Sequence, residues 1–97
     1  MTRHEALSIL RLNEARLKQL GVRHLYLFGS TACDQAGQAS DVDLFFDYEI
    51  GRFGVFELMD VKEFAASVLA TKTDIMTRDS LHKTLRPQVE AGAIQVF

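Results

Sequence analysis

HLYLFGSTACDQAGQASDVDLFFDY, residues 24–48, is the stretch on which the reading of this chain turns. His24 to Phe28 is a short run of aromatic and aliphatic residues, apolar on both faces, as a central strand covered by helices would be. It stops at Gly29-Ser30, and TACDQAGQAS follows with no regular periodicity. DVDLFFDY then alternates: Asp41, Asp43, Phe45 and Asp47 point one way, Val42, Leu44, Phe46 and Tyr48 the other.

The flanks supply helices. Residues 3–20 read as one amphipathic helix, with Ala6, Leu10, Leu17 and Leu20 at helical spacing, Arg11, Glu14 and Lys18 opposite, and Gly21 at the C-cap. After a turn around Gly51–Gly54, Val55 to Leu69 reads as a second, on Leu58, Val61, Ala65, Val68 and Leu69. TDIMT, Thr73 to Thr77, is a third strand. Asp79-Ser80 is expected to cap a last helix containing Leu81 and Leu85, and AIQVF to form a final short strand. The order predicts an α/β (α+β) fold, a small mixed sheet with helices packed on it around one core, as a single domain over residues 1–97.

Bulk composition narrows the function classes. The 97 residues carry 11 Lys plus Arg against 13 Asp plus Glu, a balance that argues against a protein whose task is to coat nucleic acid. No apolar run approaches the roughly 18 residues of a membrane-spanning helix. MTRHEALSIL lacks a signal-peptide pattern, and the one cysteine, Cys33, suits a reducing compartment; a cytoplasmic protein is expected. A chain this small builds a modest core, so burial shared with a partner, in a homo- or hetero-oligomer, is a further expectation. His4, His24 and His82 have no metal-ligand spacing.

The acids carry the chemistry. Asp41 and Asp43 are two apart on a strand, so their carboxylates leave the same face and repel. A lone D-x-D is commonly a solvated pair, but a hard divalent ion such as Mg²⁺ would also resolve the repulsion through oxygen ligands, completed by substrate phosphates. Asp74 stands on TDIMT although aspartate is depleted in strands; an edge strand could expose it, or, beside DVDLFF, it makes a third carboxylate and a two-metal phosphoryl-transfer site. Gly29 lets a ligand approach the backbone closely, and Ser30 offers a hydroxyl to a phosphate oxygen or to a helix N-terminus.

In this order the residues resemble the minimal nucleotidyltransferases (MNT), which share a fold with DNA polymerase β. The family pattern is G-S-x-A-R-G-x-A, a spacer, then S-D-[IVL]-D-[LIV]. Here it reads Gly29, Ser30, Thr31, Ala32, Cys33, Asp34, Gln35, Ala36, then Ser40, Asp41, Val42, Asp43, Leu44. The family's later basic residue and V-D-L-V-T correspond to Lys72, Thr73, Asp74, Ile75, Met76 and Thr77. The resemblance covers nearly the whole chain.

It implies a nucleotidyltransferase that moves AMP from ATP to an acceptor hydroxyl and releases pyrophosphate. Asp41, Asp43 and Asp74 would be the catalytic and metal-binding residues for two Mg²⁺ ions, and Gly29 and Ser30 would hold phosphates. It also implies a partner: such proteins pair with a HEPN-domain RNase toxin, which the MNT antitoxin adenylylates on a tyrosine. Phe53, Phe56 and Met59 are candidates for contact with that partner, or for the core. Cys33-Asp34 departs from the usual Arg-Gly and replaces a cation near the phosphate loop with an acid. Weaker nucleotide binding, a substitute cation such as Lys72 or Arg52, and loss of activity are the three consequences open. An antidote that works by binding alone and a stand-alone transferase for a small molecule are the alternatives.

Overall fold

The computed structural model describes residues 1–32, 41–51 and 53–97, with Ser30 placed by its backbone. Cys33, Asp34, Gln35, Ala36, Ser40 and Arg52 lie outside the described residues.

Helix α1 runs Arg3–Leu12 and opens on a reciprocal cap, in which Glu5 N–H donates to Thr2 Oγ1 at 3.1 Å and Thr2 N–H to Glu5 Oε1 at 3.0 Å. The single helix expected over 3–20 is two, because the chain breaks at Asn13 before α2, Glu14–Gln19. Asn13 turns its side-chain amide onto the Ile9 carbonyl at 2.8 Å and leaves helical geometry at φ −106° and ψ 16°. The apolar spacing survives the break, so Ala6, Leu10 and Leu17 all remain fully buried. Gly21, at φ +108°, ends α2 and turns the chain into β1, Val22–Phe28.

A short helix α3, Gly29–Ala32, follows β1; β2 is Val42–Tyr48, α4 is Val55–Leu69 and β3 is Thr73–Thr77. The last helix, α5, spans Arg86–Gly92, later than expected. Asp79-Ser80 instead belongs to a 3₁₀ turn at Arg78–Ser80, with Leu81 and Leu85 ahead of α5. Pro87 explains the shift, since it lacks an N–H and fits only the first turn of a helix. The final strand β4 is reduced to Ile94–Gln95.

The four strands form one mixed sheet in the order β3-β2-β1-β4. β1 pairs antiparallel with β2 and with β4, whereas β2 and β3 run parallel through the α4 crossover. Leu25, Leu27, Val42, Leu44, Phe46 and Ile75 face a core closed by Ala6, Leu10 and Leu17 and by Val61, Ala65 and Leu69 of α4. The mixed sheet with packed helices is the architecture the sequence pattern implies. Among the described residues no helix is long and apolar enough to cross a membrane.

Phe45 departs from the expected alternation. It lies on the acid-bearing face of β2 yet is 1% exposed. Tyr26 stacks on it at 4.8 Å, Phe28 leans on it at 5.6 Å, and the Arg78 guanidinium covers it at 5.2 Å. Phe53 is packed as well, stacked on Tyr48 at 5.0 Å and edge-on to Phe46 at 5.4 Å, while Phe56 and Met59 are exposed.

Candidate functional site

The register of the sheet decides which acids meet. Asp43 of β2 and Asp74 of β3 are in-register partners on parallel strands, so their side chains leave the same face about 4.8 Å apart at the backbone. Asp41 lies two residues before Asp43, just ahead of β2. Its backbone is anchored twice: the Thr31 hydroxyl, itself buried, donates to the Asp41 carbonyl at 3.5 Å, and the next residue, Val42, donates its N–H to the Lys72 carbonyl at 3.0 Å. The three aspartates singled out above therefore converge at one corner of the sheet.

The corner is electrostatically tense. The Asp43 carboxyl is pushed above its ordinary value, first by partial burial, then by the charges of Asp74 and Asp41. Lys72 offsets one of the three, with Nζ 3.6 Å from Asp41 Oδ2. Among the described residues neither Asp43 nor Asp74 has a cation partner.

Gly29 opens the corner from the β1 side. Its φ of +78° is a left-handed conformation that suits glycine, and a Cβ there would run into the Asp43 carboxylate. Directly across from Asp43 in the antiparallel register stands Phe28, so the Gly29 backbone and the Asp43 oxygens share one cradle. The backbone of Ser30 follows within α3, whose last residue, Ala32, accepts a 3.4 Å hydrogen bond from the Arg3 guanidinium.

The donor set suits a hard cation. It is all oxygen, it is mutually repulsive, and it is open enough for further ligands from a phosphate. Among the described residues no three acidic, histidine or cysteine groups are already closed into a cage that could hold an ion. That is compatible with a cation whose remaining ligands come from a substrate, and the residues fit Mg²⁺ in that sense.

Asp47 shares the face of Asp43 but not its state. Arg78 grips it with two hydrogen bonds, Nε to Oδ1 at 2.8 Å and Nη2 to Oδ2 at 3.1 Å, and reaches Glu90 of α5 at 2.7 Å through Nη1. The guanidinium also lies over the Tyr26 ring at 4.7 Å. Burial alone would lower the Arg78 pKa, but Asp47 and Tyr26 together more than offset this and raise it. This clasp, which no sequence pattern announces, joins β2, the 3₁₀ turn and α5. The two members of its central pair are 31 residues apart, and no local pattern connects them.

Comparison with known proteins adds an independent line. The nucleotidyltransferase domain matches residues 9–95. A proposed protein adenylyltransferase of Methanocaldococcus jannaschii is 29% identical over 97 residues, covering 98% of each chain. The protein adenylyltransferase MntA of Thermococcus cleftensis is 29% identical, over 99% of this chain and 97% of its own.

Among solved structures, a proposed minimal nucleotidyltransferase superposes with a TM-score of 0.76 at 28% identity, covering 97% of this chain and 95% of its own. Two more distant structures share the fold. One is a toxin-antitoxin complex with AMP-PNP, at TM-score 0.68 and 21% identity over 100% of this chain and 73% of that one. The other is a complex of a tri-AMPylated HEPN toxin of Shewanella oneidensis with an MNT antitoxin, at TM-score 0.59 and 22% identity over 89% and 70%.

Proposed function

The chain belongs to the nucleotidyltransferase domain family, and on that premise we propose that it transfers AMP from ATP to a hydroxyl, a tyrosine, of a HEPN RNase toxin and so acts as its antitoxin. The observation that carries the proposal is the in-register meeting of Asp43 and Asp74 beside the Gly29 cradle, with Asp41 anchored at the same corner. The AMPylated HEPN toxin in the Shewanella complex supports the acceptor class, and the AMP-PNP complex supports ATP as donor.

In this reading Asp41 and Asp43 hold Mg²⁺, and Asp74 binds a second ion or takes the acceptor hydroxyl's proton. The ion, when bound, screens charge that develops on the α-phosphoryl group and on the leaving pyrophosphate. The chain's own contribution is placement. Gly29, lacking a side chain, lets the triphosphate come against the backbone between β1 and the carboxylates, and Ser30 supplies a hydroxyl to it. Asp74 sits on the edge strand β3, exposed, where an acceptor from another protein can reach it. Asp47, paired with Arg78 farther along β2, lies outside this arrangement.

The test is intact-mass spectrometry of a HEPN-domain protein that forms a complex with this chain, after incubation of the two with ATP and Mg²⁺. The expected result is a mass gain of one or more AMP units, lost with the Asp41→Asn/Asp43→Asn double variant. A stable complex with no mass gain refutes transfer and leaves neutralisation by binding.

A further inference from the structure

Lys72 sits at the acidic corner with a fixed backbone and a loosely held side chain. Its carbonyl is locked to the start of β2 by the 3.0 Å hydrogen bond from Val42. Its ammonium reaches Asp41 at 3.6 Å while the side chain stays 83% exposed. An ion pair so exposed contributes little, so it yields readily to a stronger ligand for either partner.

The other described cations near this face are committed elsewhere. Arg3 is hydrogen-bonded to the Ala32 carbonyl, and Arg78 is held by Asp47 and Glu90 over an aromatic ring. Lys72 also lies two residues before Asp74, so a swing of its flexible four-carbon stem stays within the same corner. The sequence at Cys33-Asp34 offers no cation to a phosphate.

We propose that Lys72 is an exchangeable counter-ion of the site: it pairs with Asp41 while the site is free of nucleotide, and releases that carboxylate to turn onto the triphosphate when metal and nucleotide bind. The inference rests on the nucleotidyltransferase reading and adds a phosphate-binding residue to it. One side chain then acts in opposite senses on two ligands. It opposes a bare divalent ion, whose ligand it occupies, and favours a nucleotide, whose charge it meets.

Opposite signs make the test sharp. Binding of Mn²⁺ alone, and of AMP-PNP with Mg²⁺, is measured by titration on the full chain, its Lys72→Met variant and its Lys72→Arg variant. Lys72→Met is expected to bind Mn²⁺ about two- to five-fold tighter, the loss of an exposed pair, and AMP-PNP about ten-fold more weakly, the loss of a charge-assisted contact. Lys72→Arg restores both. Lys72→Met with unchanged affinities, or with both shifted the same way, overturns the inference and leaves the nucleotidyltransferase reading standing. A wild-type chain that binds no AMP-PNP overturns both.

Discussion

Replacing Gly29 with alanine probes the most specific contact of the candidate site. The backbone there has φ +78°, which costs an L-residue about 1–2 kcal/mol. The new Cβ would also press on Asp43, against the carboxylate first and then Cγ at 3.3 Å and Cβ at 3.4 Å. A half-buried carboxylate can turn aside, so crowding is set at about 1 kcal/mol, the low end of overpacking costs. The sum is about 2–3 kcal/mol, or a fall in Tm on the order of 10–20 °C for a chain of this size. A double-mutant cycle separates the two contributions. In an Asp43→Ala background only the backbone cost remains, so Gly29→Ala should be about 1 kcal/mol cheaper there. Urea denaturation of the four proteins measures this. An equal cost of Gly29→Ala in both backgrounds would refute the placement of Asp43 against Gly29, and with it the cradle.

Two further outcomes follow from the charges. The Asp43 carboxyl is raised above its ordinary 3.8 by burial and by Asp74 and Asp41, so it favours the fold when protonated. That contribution is complete below the unfolded value and is lost as pH rises through the raised folded value. Asp43→Asn should therefore flatten this part of the Tm–pH profile, and any stabilisation by Mg²⁺ should grow with pH across the same window in the wild type only. Arg78→Met strands Asp47, whose side chain is 31% exposed, while Glu90 keeps Arg86 at 3.0 Å, and should destabilise by about 1–3 kcal/mol in urea denaturation. AMP-PNP affinity of the folded protein should hold, since the clasp lies outside the acidic corner.

Much of the fold is legible because the period of the apolar residues changes where the elements change. DVDLFFDY alternates with period two, Val55–Leu69 repeats at helical spacing, and Gly21 ends the first helical pattern at the expected place. What periodicity cannot see is competition between a side chain and the backbone. Asn13 breaks a helix whose apolar stripe continues through it, and Pro87 delays a helix that its leucines seem to start. Phe45 is hidden because its cover comes from Tyr26, Phe28 and Arg78, three residues from two other segments. Asp41 and Asp43 are visible as a pair from their spacing alone. Asp74 joins them only through the parallel register of β2 and β3, which is a property of the crossover and not of any local pattern.

The distribution of charge on the acid-bearing face sets apart the acids that hold the fold from those free to act. Asp47 is gripped by an arginine at 2.8 Å, in a clasp that also fixes α5, and its charge is settled within the chain. Asp43, four residues along the strand, and Asp74 are paired in register across adjacent strands, with no cation of their own among the described residues. A chain selected for stability alone has little reason to place like charges in register, since directly opposed like charges are destabilising. Here the arrangement is further supported by a left-handed glycine that keeps space open beside one of the two. Stability is given up at the corner and recovered at the clasp, as expected of a site whose missing positive charge arrives from outside with its ligand.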